Sequence, residues 1–169
     1  MRLIAITGHV NVNDDIAEWV RQTLTKRLPE VTGSGRLALR GITCLAKGAD
    51  QLFARVVLEL RGTFEVVLPA EDYEQKMVED GDGEAFCLLL GQATEVHVMP
   101  FVSSSRAAYL AASEAMLNRC DLLLAVWDGE PSQRVGDTAD VVRAARARSV
   151  PVEILWPPKP SSIPSPDAP

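Results

Sequence analysis

The stretch "DLLLAVW", Asp121–Trp127, decides how this chain folds. After Asp121 it is apolar without interruption, which suits a strand covered on both faces rather than one with a wet side. Strands of that kind belong to parallel sheets with helices above and below. The residues that follow fit the same picture. A short polar passage leads into "DTADVVRAARARS", which has helical spacing, and then into "VPVEILW", a second strand-like run. A strand–helix–strand unit of this length predicts a parallel crossover.

The alternation extends back to the N-terminus. "RLIAIT" (Arg2–Thr7) reads as a strand, and "DDIAEWVRQTLTKRL" (Asp14–Leu28) as a helix with Ile16, Trp19, Val20 and Leu24 on one stripe and Asn13 as its N-cap. "LALRGITCLA" (Leu37–Ala46) is a second strand, and "GADQLFARVVLELRG" (Gly48–Gly62) a helix whose stripe is Leu52, Phe53, Val56, Val57 and Leu60. "TFEVVLP" (Thr63–Pro69) is a third strand. Ala70–Gly83 is acidic and irregular, a solvated loop or lid with a short helical option. Gly83–Ala93 reads as a helix, Glu95–Pro100 as a strand, and Ser103–Cys120 as a serine-capped helix. The fold class is therefore α/β: one doubly wound, Rossmann-like, mostly parallel sheet with helices on both faces. The domain is expected to span residues 1–156, with 157–169, rich in Pro and Ser, as a disordered tail.

Composition narrows the function classes. The chain of 169 residues is 47% hydrophobic and 24% charged, ordinary for a soluble domain. A net charge of −6 and a pI near 4.9 argue against DNA, RNA and anionic membranes as partners, so neither nucleic acid nor membrane is expected. Three separated cysteines, Cys44, Cys87 and Cys120, read as free thiols of a cytoplasmic protein. With His9 and His97 they give no metal-ligand spacing, so no metal and no cofactor is expected. No apolar run approaches the roughly 18 residues of a membrane span.

Ligands of open doubly wound sheets sit beyond the carboxyl ends of the strands, where the strand order reverses. Three junctions there carry glycine with a polar neighbour. Gly8-His9 ends the first strand, and histidine offers hydrogen bonding or acid–base chemistry. Gly48-Ala49-Asp50, after Lys47, opens the second helix; Asp50 alternatively only complements the helix dipole. Asp128-Gly129 follows the buried strand, and Gly136-Asp137-Thr138 opens the next helix as either an anion-holding turn or a plain cap. Trp127 is suited to wall a base pocket, and Trp19 to the core. There is no G-x-G-x-x-G after the first strand, no Walker-type loop and no G-x-S-x-G elbow.

The segments "ITGHVNV" (6–12), "CLAKGADQLFARVVLE" (44–59) and "CDLLLAVWDGEPSQRVGDTADVVRAARARSVPV" (120–152) together resemble the SLOG superfamily, over roughly residues 2–156. That group includes the Lonely-Guy phosphoribohydrolases, DNA-processing protein A and small stand-alone nucleotide-sensor-like domains, to which this chain looks most similar. The resemblance implies a nucleotide-like small molecule, such as an ADP-ribose-type or phosphoribosyl ligand. Gly8, His9, Gly48, Asp50, Asp128, Gly129, Gly136 and Thr138 would line its site. The phosphoribohydrolases are an alternative, as N-glycosidic hydrolases. There Asp140 would take the place of their catalytic glutamate, and Arg106 or Arg119 are the candidates for their arginine. Two positions depart from the family pattern: Asp137 stands where relatives carry glycine, and Val10 where many carry arginine. The resemblance also implies a homo-oligomer; the small-residue-rich helix Ala107–Leu117 suits a contact, or equally packing on its own sheet.

Overall fold

The computed structural model describes residues 2–33, 39–130 and 137–158. Six strands and six helices alternate: β1 (Leu3–Gly8), α1 (Asp14–Thr32), β2 (Arg40–Thr43), α2 (Ala49–Glu59), β3 (Thr63–Leu68), α3 (Tyr73–Glu79), α4 (Gly83–Leu90), β4 (Glu95–Val98), α5 (Arg106–Leu117), β5 (Leu122–Val126), α6 (Thr138–Ala147) and β6 (Val152–Leu155). The strands form one all-parallel sheet in the order β4-β3-β2-β1-β5-β6. The doubly wound expectation holds. Strand order reverses between β1 and β5, which pair from Ile4↔Leu122 to Gly8↔Val126.

Side-chain alternation builds the two layers. Ile4 and Ile6 of β1, with Leu122, Leu124 and Val126 of β5, face a core shared with α1, α2 and α4. Leu3, Ala5 and Leu123 face the other core, with Ala112, Met116 and Leu117 of α5 and Val141 and Ala145 of α6. All five β5 residues are buried, as its unbroken apolar run requires. Asp121 starts β5 by pinning β1: its side chain accepts the Leu3 amide at 2.7 Å, and its own amide donates to the Leu3 carbonyl at 2.8 Å.

Several element ends differ from the sequence reading. Helix α1 runs to Thr32, past Pro29. A proline there removes only one hydrogen bond near the end, while Leu28 and Thr32 continue the buried stripe of Val20 and Leu24. Strand β2 is trimmed to four residues because the chain turns toward α2 after Thr43, with Leu45 at φ 54°. Asn13 caps α1 by accepting the Ile16 amide at 2.8 Å, and Ser105 caps α5 through Ala108 at 3.2 Å. Trp19 packs half-buried against the first core. In α5, Ala108, Ala112, Met116 and Leu117 lie on the chain's own sheet, while Tyr109 and Leu110 are exposed. No helix among the described residues is long and apolar enough to cross a membrane.

The amino-terminal end of the sheet is held by a buried charge. Glu65 on β3 is 1% exposed and accepts from Arg40 of β2 and Arg119 of the α5–β5 turn. A buried carboxylate persists only when such partners meet both its oxygens. Glu65→Gln keeps the shape and loses the charge, so unfolding in urea should show a loss of about 2 kcal/mol. The loss should shrink modestly at high salt, because Arg40 and Arg119 are each more than a third exposed.

Candidate functional site

The switch point opens into a cleft of about 720 Å³ at the carboxyl ends of β1 and β2. Its floor is Ile6–Asn11 from the end of β1, Cys44, Ala46 and Lys47 from the β2–α2 turn, and Asp50 from the first turn of α2. One wall is α3 and the turn after it, with Tyr73, Lys76, Met77, Asp80 and Asp82; the facing side is Tyr109, Ser113 and Met116 of α5. Trp127 and the start of α6, Asp137–Ala139 and Val141, close it at the β5 side.

The floor depends on close chain approach. A Cβ on Gly8 would lie 2.5 Å from the Ala49 Cβ and 2.8 Å from the Val126 Cβ. Gly48, at φ 88°, has the His9 and Val10 carbonyl oxygens 2.6 and 2.7 Å from where its Cβ would stand. The Ala49 amide donates to the His9 carbonyl at 3.4 Å. Both glycines are thus needed where α2 begins against the β1 turn. The sequence reading gave them to ligand approach; the structure shows each packed against protein, and Gly48 does not line the cleft.

Asp50 is 6% exposed at the cleft floor. Its Oδ2 accepts the Thr43 hydroxyl at 3.0 Å and the Cys44 amide at 3.2 Å, and the Ala46 amide also donates to it. Burial raises its pKa to about 6, more than these hydrogen bonds lower it. The carboxyl therefore holds the β2–α2 turn in place, and burial likewise pushes the neighbouring Cys44 thiol up.

At the end of β1, His9 Nε2 lies 3.2 Å from Asp128 Oδ1 and 3.5 Å from the Asp128 amide, and the ring meets Trp156 edge-on at 5.4 Å. Burial would raise the Asp128 pKa, but the Glu130 amide at 3.0 Å and His9 outweigh it, so the net shift is downward. This pair bridges β1 and β5. His9 lines the cleft; Asp128 and Gly129 stand just outside its lining, Gly129 at φ 87° with open space around it.

Asp137 caps α6. Its Oδ1 accepts the Asp140 amide at 3.2 Å, while its Oδ2 is buried and meets no hydrogen-bond donor among the described residues. Thr138 beside it is 6% exposed and lines the cleft. Asp137 thus stands at the turn that the resemblance gives to phosphate, where its carboxylate would repel an anionic charge about 4 Å away by about 4 kcal/mol. Asp140 pairs with Arg143 at 2.9 Å and is not part of the lining. Arg119 is held by Glu65 at the other end of the sheet, and Arg106 does not line the cleft. Gly136 lies outside the described residues.

The sequence reading missed the α3 wall. Ala70–Gly83 is not a loose lid: the Glu71 amide donates to the Phe101 carbonyl at 2.9 Å, and Asp72 accepts the Ser104 amide at 2.7 Å and its hydroxyl at 2.5 Å. Those bonds, the hydroxyl's first, hold the Asp72 pKa down. Tyr73 and Met77, one helical turn apart, bury themselves in the first core, a spacing visible in the sequence. Outside the cleft, Glu65, Glu95 and His97 bring ligand-type atoms within 4.8 Å of one another, but the two guanidiniums on Glu65 oppose a cation there.

No protein-family profile and no curated protein sequence matches the chain. Solved structures do. DNA processing protein A from Streptococcus pneumoniae superimposes with a TM-score of 0.61 at 17% identity, over 97% of this chain and 52% of that one. The chain shares the fold of DNA processing protein A. The Helicobacter pylori protein of that name, described for its single-stranded DNA binding mode, gives 0.63 at 13% identity, over 95% of this chain and 67% of that one. A structural-genomics protein, TM1055, gives 0.54 at 18% identity, over 90% of this chain and 72% of that one. This chain thus spans about half the length of the Streptococcus protein. The fold is the one the SLOG resemblance implies. The exclusion of nucleic acid is corrected: a neighbour of this fold binds single-stranded DNA. Net charge sums the whole surface, whereas a strand contacts only one patch of it.

Two outcomes follow from the floor. Gly8→Ala should cost about 1–3 kcal/mol in urea unfolding, because neither the Ala49 Cβ nor the Val126 Cβ can withdraw without moving backbone. Asp50 keeps its proton to about pH 6 when folded but only to about 3.8 when unfolded. Its contribution is then full below pH 3.8 and is lost as pH rises through 6. The stability of the wild type relative to Asp50→Asn should fall by about 2.4 kcal/mol between pH 4 and 7, and the Asp50 carboxyl carbon should titrate by NMR with a midpoint near 6.

Proposed function

We propose that this chain is a binding module for a nucleotide or nucleotide-derived ligand of the ADP-ribose or phosphoribosyl type, held in the cleft at the β1–β5 switch point. The observation that carries the reading is the position of the cleft: it opens where the strand order reverses, the place where doubly wound sheets bind ligands. Its lining suits the ligand. Trp127 and Tyr109 offer flat surfaces for a base, Thr138 and Ser113 offer hydroxyls, and Lys47 and Lys76 supply positive charge in an otherwise acidic protein. His9 and Asp50 belong to this lining, while Gly8 and Gly48 shape its floor.

Binding is favoured over N-glycosidic hydrolysis because Asp140, which would replace the catalytic glutamate, is engaged by Arg143 away from the lining. The single-stranded DNA bound by the Helicobacter pylori neighbour bears on the same reading, since one residue of a strand is itself a nucleotide. Oligonucleotides therefore belong among the ligands tested.

A thermal-shift screen against AMP, ADP, ATP, NAD, ADP-ribose and a short oligothymidylate tests the proposal. A ligand at 100 times its Kd should stabilise the protein by about 2.7 kcal/mol. Ser113→Trp, which fills the cleft from α5, should abolish that shift while leaving the ligand-free melting temperature nearly unchanged. No shift from any of these ligands refutes the reading. Release of free base from AMP that disappears in Asp140→Asn would replace it with the hydrolase.

A further inference from the structure

We propose that the β4 edge of the sheet is a contact between two copies of this chain, paired antiparallel about a two-fold axis at His97. The contact is independent of the nucleotide reading, since no residue of β4 lines the cleft.

The sheet is open at both ends, and β4 pairs on one side only, with β3. The Met99 amide, just past the strand, donates to the Leu68 carbonyl at 2.9 Å. Main-chain groups alternate in direction along a strand, so His97 and Glu95 also turn theirs to β3. The opposite phase would need an amide on Pro69, which has none. The outward groups are therefore those of Val96 and Val98, and no loop or side chain bonds to them among the described residues. Their side chains are bare as well, Val96 at 43% and Val98 at 50% exposed. An edge of this kind is a template for another strand.

The spacing selects that strand. Two outward residues two positions apart are self-complementary about the residue between them. An axis at His97 sets Val96 against the partner's Val98, and Val98 against the partner's Val96. Each such pair exchanges two main-chain bonds, and valine lies on valine on the face that carries Val66 and Leu68. On the other face the two His97 imidazoles meet at the axis. Each lies 3.3 Å from its own Glu95 carboxylate and 3.8 Å from Glu65, and gains the partner's Glu95 as a diagonal neighbour. Carboxylates thus flank the imidazoles on both sides. The β6 edge lacks this match. Pro151 and Pro157 bracket it, and an axis between Val152 and Ile154 would set Glu153 against its own copy, like charge against like. A peptide from another protein would use the main-chain groups alone, whereas the matched valines and flanked imidazoles suit a second copy.

Sedimentation of the full chain between about 10 and 500 µM should show a reversible monomer–dimer equilibrium, because four-residue strands fall short of the roughly 1,000 Å² of a stable interface and make a weak contact. Val98→Lys should leave a monomer throughout that range, at an unchanged melting temperature. Cys87→Ser removes the exposed thiol. In that background His97→Cys should form a disulfide-linked dimer on mild oxidation, since residues facing each other across such an axis have Cα atoms about 4.5 Å apart. Val96→Cys in the same background should stay unlinked, because it faces the partner's Val98. Linkage of Val96→Cys as fast as His97→Cys, or a dimer that survives Val98→Lys, would overturn the pairing. A wild type that is monomeric at every concentration would overturn it too, and would leave the edge to an extended peptide from another protein.

Discussion

The whole carboxyl end of the sheet depends on one close approach, that of Gly8 to Ala49 and Val126. The last residue of β1, the last of β5 and the first of α2 meet there with no room for a methyl group. Because β1 and β5 are the strands between which the order reverses, this contact sets how far the sheet opens at its switch point. Gly48 repeats the constraint one layer out, where the β1 turn presses its carbonyls onto the start of α2. The cleft is the space left over once these backbones have met.

Around that floor, polar residues mostly serve geometry. Asp50 gathers a hydroxyl and two amides of the β2–α2 turn; Asp72 ties the α3 wall to the segment before α5; Asp121 fixes the starts of β1 and β5. Each carboxylate fixes a strand end or turn against its neighbour. At the far end Glu65 does the same with two arginines. Asp137 differs, since only one of its oxygens accepts a hydrogen bond among the described residues.

Much of the architecture was legible in the sequence because it is written in local patterns. The apolar run of β5, the stripes of α1 and α2, and the caps at Asn13 and Ser105 each depend on residues within a few positions. The cleft was legible at its β5 side, at Trp127 and Thr138, and along its floor, where glycine marks tight turns. Even there the reason differed: Gly8 and Gly48 are small for the sake of protein neighbours that lie tens of residues away. Tyr73, Lys76, Tyr109 and Ser113 could not be placed together from sequence, since nothing local says that α3 faces α5 across the end of β1. The engagement of Asp140 by Arg143 was visible as a three-residue spacing, but its distance from the lining was not.

The strand order has a consequence for how the molecule comes into being. β1 is made first, yet its partner β5 lies over a hundred residues later, as the Leu3–Asp121 bond at a separation of 118 shows. Until β5 has left the ribosome, the β1 edge stands unpaired, an apolar strand open to wrong partners. Long-range parallel pairing is slow to form because the loop entropy must be met before the contact exists. The cleft draws its walls from Ile6 through Val141, so it closes only when almost the entire chain is in place. The formed cleft is thereby a report on a folded sheet, and a nascent chain has no such cleft until β5 and α6 dock.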